Sequence, residues 1–220
     1  MKKLFSPDGW LWRVLNILTD VFALSLIWLF CCLPVVTIGP ATEALYDSVV
    51  HGIRYQESGP YRRFFHTFKA DLGVSVLTTI LWIVVIGFGI WSLSLLRALG
   101  ESSRSAAVAS AAYYILLVLP CGAACWVFPT LSRFTYPWKD LNLTALKLSV
   151  GYLPRTVVLV LMTAEIGVLC ARYFFPAFFA PACMMLLWSL FIEPVFTRLG
   201  GGIKKENPDL PEEESGEEEG

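Results

Sequence analysis

The sequence predicts an all-α, polytopic membrane helical bundle, and three observations predict it. Charge is absent over long stretches: residues 21–42, 72–96, 105–132 and 173–192 hold 22, 25, 28 and 20 residues without Asp, Glu, Lys or Arg. About 20 apolar residues in a helix cross a bilayer core. Composition agrees, with 56% hydrophobic and 16% charged residues, whereas soluble domains carry about 25% charge. The polar stretches between the oily ones keep a helical period. Ala41, Leu45, Ser48, Val49 and Ile53 fall on one helix face, and Glu43, Asp47 and Arg54 on another.

Five spans are expected, at about 14–36, 72–96, 106–131, 156–171 and 173–192. They form an integral membrane domain over residues 1–202, followed by an acidic tail at 203–220 that is expected to be disordered. Lys2, Lys3, Trp10 and Trp12 precede the first span, and tryptophan favours the water–lipid boundary. Asp20 interrupts that span and no Ala-x-Ala-like cleavage site follows, so it is read as retained rather than as a signal peptide. Arg13, Asn16 and Asp20 can share one helix face. Gly39-Pro40 ends the oily run, because proline cannot continue a helix but suits the first turn of a new one. Glu43 would lie near that start, where the helix dipole favours an acid. Residues 40–56 then read as an amphipathic interfacial helix.

Gly59-Pro60 restarts the chain. Phe64, Phe65 and Phe68 against Arg62, Arg63 and Lys69 suit a basic helix lying in the interface, its cations on anionic lipid head groups. His51 and His66 have no metal-like ligand spacing and read as solvated side chains. The second and third spans form a hairpin through the short polar turn at 97–104. The next connector, 133–155, resembles the first in kind, which leaves a weak internal duplication and chance similarity as open alternatives. The fourth span is interrupted by Glu165, and only Arg172 separates it from the fifth, which Glu193-Pro194 ends.

The segment CLPVVTIGPATEALY, with Asn16 and Asp20 upstream and RFFHTFKAD downstream, resembles the YesL family of bacterial integral membrane proteins. The resemblance covers about residues 5–196. It implies a multi-pass protein of the bacterial cell membrane with no assigned biochemical activity. Members often accompany carbohydrate ABC-transport systems, so the resemblance implies an ABC-type permease as a candidate partner beside the lipid bilayer and a homo-oligomer.

Charge distribution adds an orientation. The net charge of −1 hides a basic body, since 8 of the 18 acids lie in residues 206–219. Residues 1–205 hold 17 basic and 10 acidic groups. Placing the N-terminus outside and the C-terminus in the cytoplasm puts 11 Lys and Arg inside against 6 outside, as the positive-inside rule favours.

Chemistry is sparsely signalled. The six cysteines sit in oily runs without zinc spacing, and no nucleophile motif or P-loop occurs. No enzyme, cofactor, metal or nucleic-acid role is expected. Asp20 and Glu165 would lie at similar depth, roughly 10 Å from the same membrane side. With Asn16 they form the candidate intramembrane polar site. They either share a proton or cation, or are neutralised separately by Arg13 and Arg172. Gly39, Pro40, Glu43, Asp47 and Arg54 form the candidate partner-contact segment, and Arg62, Arg63 and Lys69 the candidate head-group contacts. The expected function is a non-enzymatic accessory or regulatory component of solute uptake. The alternative is a small stand-alone transporter using the intramembrane carboxylates.

Overall fold

The computed structural model describes residues 10–55, 57, 59–100, 104–134, 136–173 and 175–198, and side chains within these except at 10–14, 99–100 and 104–107. The expected Arg13–Asp20 pair and the acidic tail lie outside what is described. Among the described residues every element is helical, as the sequence predicts.

Helix α1 (Trp10–Cys31) is 22 residues long. It stops short of the expected end because Pro34 takes an extended conformation, φ −80° and ψ 121°. A single 3-10 turn (Val35–Thr37) follows. Thr37 Oγ1 lies 2.6 Å from both Cys31 O and Pro34 O. Its proton therefore serves the carbonyls that a helix end leaves without partners. Helix α2 (Ile38–Ser48) then begins, with Pro40 in its first turn.

The structure puts α2 inside the bundle, not at its surface. Gly39, Pro40, Ala41 and every residue from Glu43 to Ser48 are buried. The helix packs against α1, α3, α4, α5 and α8, defined below. The expectation of an interfacial helix with a wetted polar face fails here for a physical reason. Periodicity says which residues share a face, not whether water or other protein polar groups meet it. A π-helical turn (Val49–Arg54) extends α2. Gly59, at φ +79°, then reverses the chain into α3 (Pro60–Ala70), a conformation glycine adopts without strain. Helix α3 keeps its amphipathic character: Phe64 and Thr67 are buried, while Arg62, Phe65 and Lys69 are exposed.

Helices α4 (Leu72–Gly100) and α5 (Arg104–Arg133) form the expected hairpin. The Arg97 guanidinium lies 5.0 Å from the Tyr114 ring near one end. Gly89 meets Leu117 further along, and Gly39 of α2 is pressed against both Thr79 and Phe128 near the other end. Helix α6 (Trp138–Gly151) folds back along α5. Its Ser149 Oγ donates to Leu119 O, 3.3 Å away, which is halfway along α5. Trp82 Nε1 of α4 donates to Asn142 Oδ1 of α6 at 2.9 Å. The two connectors thus differ in build: one is a pair of helices joined by a π turn, the other a single helix.

Helix α7 (Leu153–Arg172) follows α6 after a single residue and crosses α5, where Trp126 Nε1 donates to Thr156 Oγ1 at 2.9 Å. A 3-10 turn (Phe175–Phe178) leads to α8 (Ala180–Arg198). The last span therefore begins at Ala180 rather than 173 and runs past Pro194. Pro181 suits its first turn, and the burial of Val195 and Phe196 carries the helix through the second proline. By length and composition α4, α5, α7 and α8 can each cross a membrane, and the apolar stretch Leu15–Cys31 of α1 is shorter.

Candidate functional site: a buried ion-pair network

Asp47 and His51 stand one helical turn apart where α2 passes into the π turn, and both are buried. On α3, Arg63 and Thr67 are likewise one turn apart. Arg63 Nε and Thr67 Oγ1 both donate to Asp47 Oδ2 at 2.8 Å. Arg63 Nη1 reaches across to Glu57 Oε2 at 2.9 Å. Glu57 Oε1 in turn lies 2.9 Å from His51 Nδ1. Two carboxylates thus bracket one guanidinium and one imidazole.

The network continues into the spans. His51 Nε2 lies 3.5 Å from Arg133 Nη1, at the end of α5. Arg133 forks onto Glu193 of α8, with Nε to Oε1 at 3.1 Å and Nη2 to Oε2 at 2.6 Å. Such bidentate, charge-assisted pairs are the strong ones. Tyr46 and Tyr55 hydroxyls also donate to Glu193, at 3.3 and 3.2 Å. Burial chiefly, then the Glu193 charge, raises the Tyr46 phenol well above its ordinary pKa. Arg54 Nη1 donates to Ser189 O and Oγ, at 2.7 and 2.9 Å. Helices α2, α3, α5 and α8 are therefore cross-tied through polar groups. With His51 neutral, Nδ1–H donates to Glu57 and Nε2 accepts from Arg133. A proton on Nε2 would instead face Asp47 Oδ1, 3.6 Å away.

The candidate residues fall as follows. Asp20 Oδ1 accepts from the Tyr61 hydroxyl at 2.6 Å, tying α1 to α3. Burial first, and that bond second, push the Tyr61 phenol up to about 12. Asn16 and Glu165 are exposed, and no hydrogen bond joins Asp20 to Glu165 among the described residues. Gly39 and Pro40 are buried and Glu43 is wholly enclosed. Asp47 belongs to the network, and Arg54 is exposed overall but holds Ser189. Arg63 points inward to Asp47 and Glu57, whereas Arg62 and Lys69 face outward.

Sequence reasoning missed most of the network, including the charged members Glu57, Arg133 and Glu193 as well as His51. His51 is 7% exposed, not solvated. Arg133 and Glu193 read as the edges of oily runs rather than as partners 60 residues apart. The one available signal was the Asp47/His51 spacing, which puts an acid and an imidazole on one face.

Fold and network together define a multi-helix integral membrane protein. Residues 21–94 match the family model described as "Protein of unknown function, DUF624". This is the YesL-like family of membrane proteins, so the resemblance read from CLPVVTIGPATEALY is borne out. The match runs from within α1, through both helices of the first connector, into α4. No curated protein and no solved structure matches the chain.

Proposed function

We propose that the chain is a non-enzymatic accessory or regulatory component of membrane solute uptake. The carbohydrate link rests on the family resemblance alone. The observation that carries the reading is the cross-tying of the first connector to α5 and α8 through Asp47, His51, Arg133 and Glu193. With Gly39, Pro40, Glu43 and Asp47 buried beneath it, the exposed side of α3 is the platform this cross-tying would hold firm for contact with an ABC-type permease or a second copy. Exposed Arg62 and Lys69 on α3 suit anionic lipid head groups at its rim. The orientation proposed is N-terminus outside and C-terminus cytoplasmic, which places this platform inside the cell. A reporter fused after Gly220 and active only outside the cell would reverse it.

The stand-alone transporter is the second reading. One observation favours it: Tyr61 and Asp20 form a short hydrogen bond between a connector and a span. Glu165, facing away on α7, gives it no support. Mild-detergent pull-down with mass spectrometry separates the two. The accessory role expects a transport component to co-purify. Purified chain that moves solute by itself in vesicles, with flux lost in Asp20→Asn, would establish the transporter instead.

A further inference from the structure

Helix α7 turns Thr156, Leu159 and Val160 towards the bundle. One flank beside that face is bare. Val157, Leu161, Ala164, Val168 and Ala171 are all exposed, at spacings of 4, 3, 4 and 3 residues. That is the alternation of a helix-packing seam with a period of 3.5. Lipid covers an apolar seam adequately, so the seam by itself names no partner. Glu165 does. It is exposed, flanks the seam beside Ala164 and Val168, and takes part in no hydrogen bond or ion pair among the described residues. It stands seven residues from Arg172, about 10 Å along the helix, too far for a short side chain to reach the boundary. Ionisable groups in spans avoid lipid and mark contacts. The other two acids in described spans are engaged, Asp20 by Tyr61 and Glu193 by Arg133.

We infer that the bare flank of α7 docks a membrane-spanning helix of another protein, one carrying a lysine or arginine at the depth of Glu165. This deepens the accessory reading and rests on it in requiring a partner. A second copy fits less well. In a parallel pair along this seam, Glu165 would meet Val160 of the copy, which offers no donor. The cations of α7 itself, Arg155 and Arg172, lie ten and seven residues away.

The test uses the full chain in phosphatidylcholine–phosphatidylglycerol vesicles, with fluorescently labelled polyleucine transmembrane peptides as probes. One peptide carries a single lysine seven residues from an end, one carries glutamate there, and one carries neither. Energy transfer should show the lysine peptide binding about five- to tenfold more tightly than the plain one. Glu165→Gln should erase that preference, and Glu165→Lys should transfer it to the glutamate peptide. Ala164→Phe should weaken lysine-peptide binding by filling the seam while leaving Glu165 in place. Helix content by circular dichroism confirms that each variant is folded. Equal binding of all peptides, a preference that survives Glu165→Gln, or no effect of Ala164→Phe overturns the inference. So does association between labelled copies that Glu165→Gln abolishes. A chain that prefers the lysine peptide yet co-purifies with no transport component overturns the accessory reading alone.

Discussion

Arg133 and Glu193 carry opposite charges into a largely dry interior, with their side chains 18% and 5% exposed. Removing one partner there leaves the other buried and uncompensated. Arg133→Ala should cost about 3–5 kcal/mol, read by thermal unfolding in mild detergent. The paired change Arg133→Met with Glu193→Leu should recover most of that loss, because neither charge is then stranded. A single-variant loss of about 0–1 kcal/mol is what a surface pair would give, and would contradict this burial. Tyr61 offers a second residue-level test. Its folded pKa, about 12, stands above the ordinary value of 10. The folded state favours the neutral phenol, so its contribution to stability is complete below the ordinary value. That contribution is lost as pH rises through the window up to about 12. Ultraviolet titration of wild type against Tyr61→Phe should therefore show the loss of one late-titrating phenol, with Tyr46, raised as well, remaining in both. Asp20→Asn should lower the Tyr61 pKa only partly, since burial is the larger cause.

At the scale of the elements, close approach depends on a few glycines. A Cβ on Gly39 would overlap Thr79 Oγ1 and come within 2.6 Å of the Phe128 ring. On Gly122 it would overlap Thr156 and approach Ser149 Oγ to 2.7 Å. Gly39→Ala and Gly122→Ala should each destabilise by about 1–3 kcal/mol, the cost of overpacking. Gly87, also helical, faces open space: a Cβ there would meet nothing within 4 Å. Gly87→Ala should be neutral or stabilise by about 0.5–1 kcal/mol through helix propensity. Equal losses in all three variants, by the same unfolding measurement, would mean the helices do not touch as described. Four of the five expected spans, now α4, α5, α7 and α8, were legible because hydropathy marks them directly. Helix ends were less so. Charge-free length placed the last span at 173, but Pro176 and Pro181 start α8 at Ala180. The destination of α2 was not legible, since Asp47 finds Arg63 and Thr67 only after the turn at Gly59.

For the whole molecule, outward-facing apolar surface fits a lipid surrounding. Leu77, Val84, Phe88, Ile90 and Trp91 on α4, and Ile115 and Leu116 on α5, are exposed. Water would not tolerate so large a continuous patch, while lipid favours it. Carbonate-washed vesicles should retain the full chain, and its appearance in the supernatant would refute a membrane-embedded bundle. The sequence by itself determined the helical class, four long oily helices with α4 and α5 paired, and the family resemblance, because transfer free energy to lipid accumulates residue by residue along the chain. Tertiary structure alone decided that α2 lies in the interior, that His51 is enclosed, and that Asp20 answers Tyr61 rather than Glu165. Those outcomes depend on polar partners separated by as many as 147 residues, as Tyr46 is from Glu193. Burying a polar face is favourable only when such partners meet it, and no local pattern encodes that meeting.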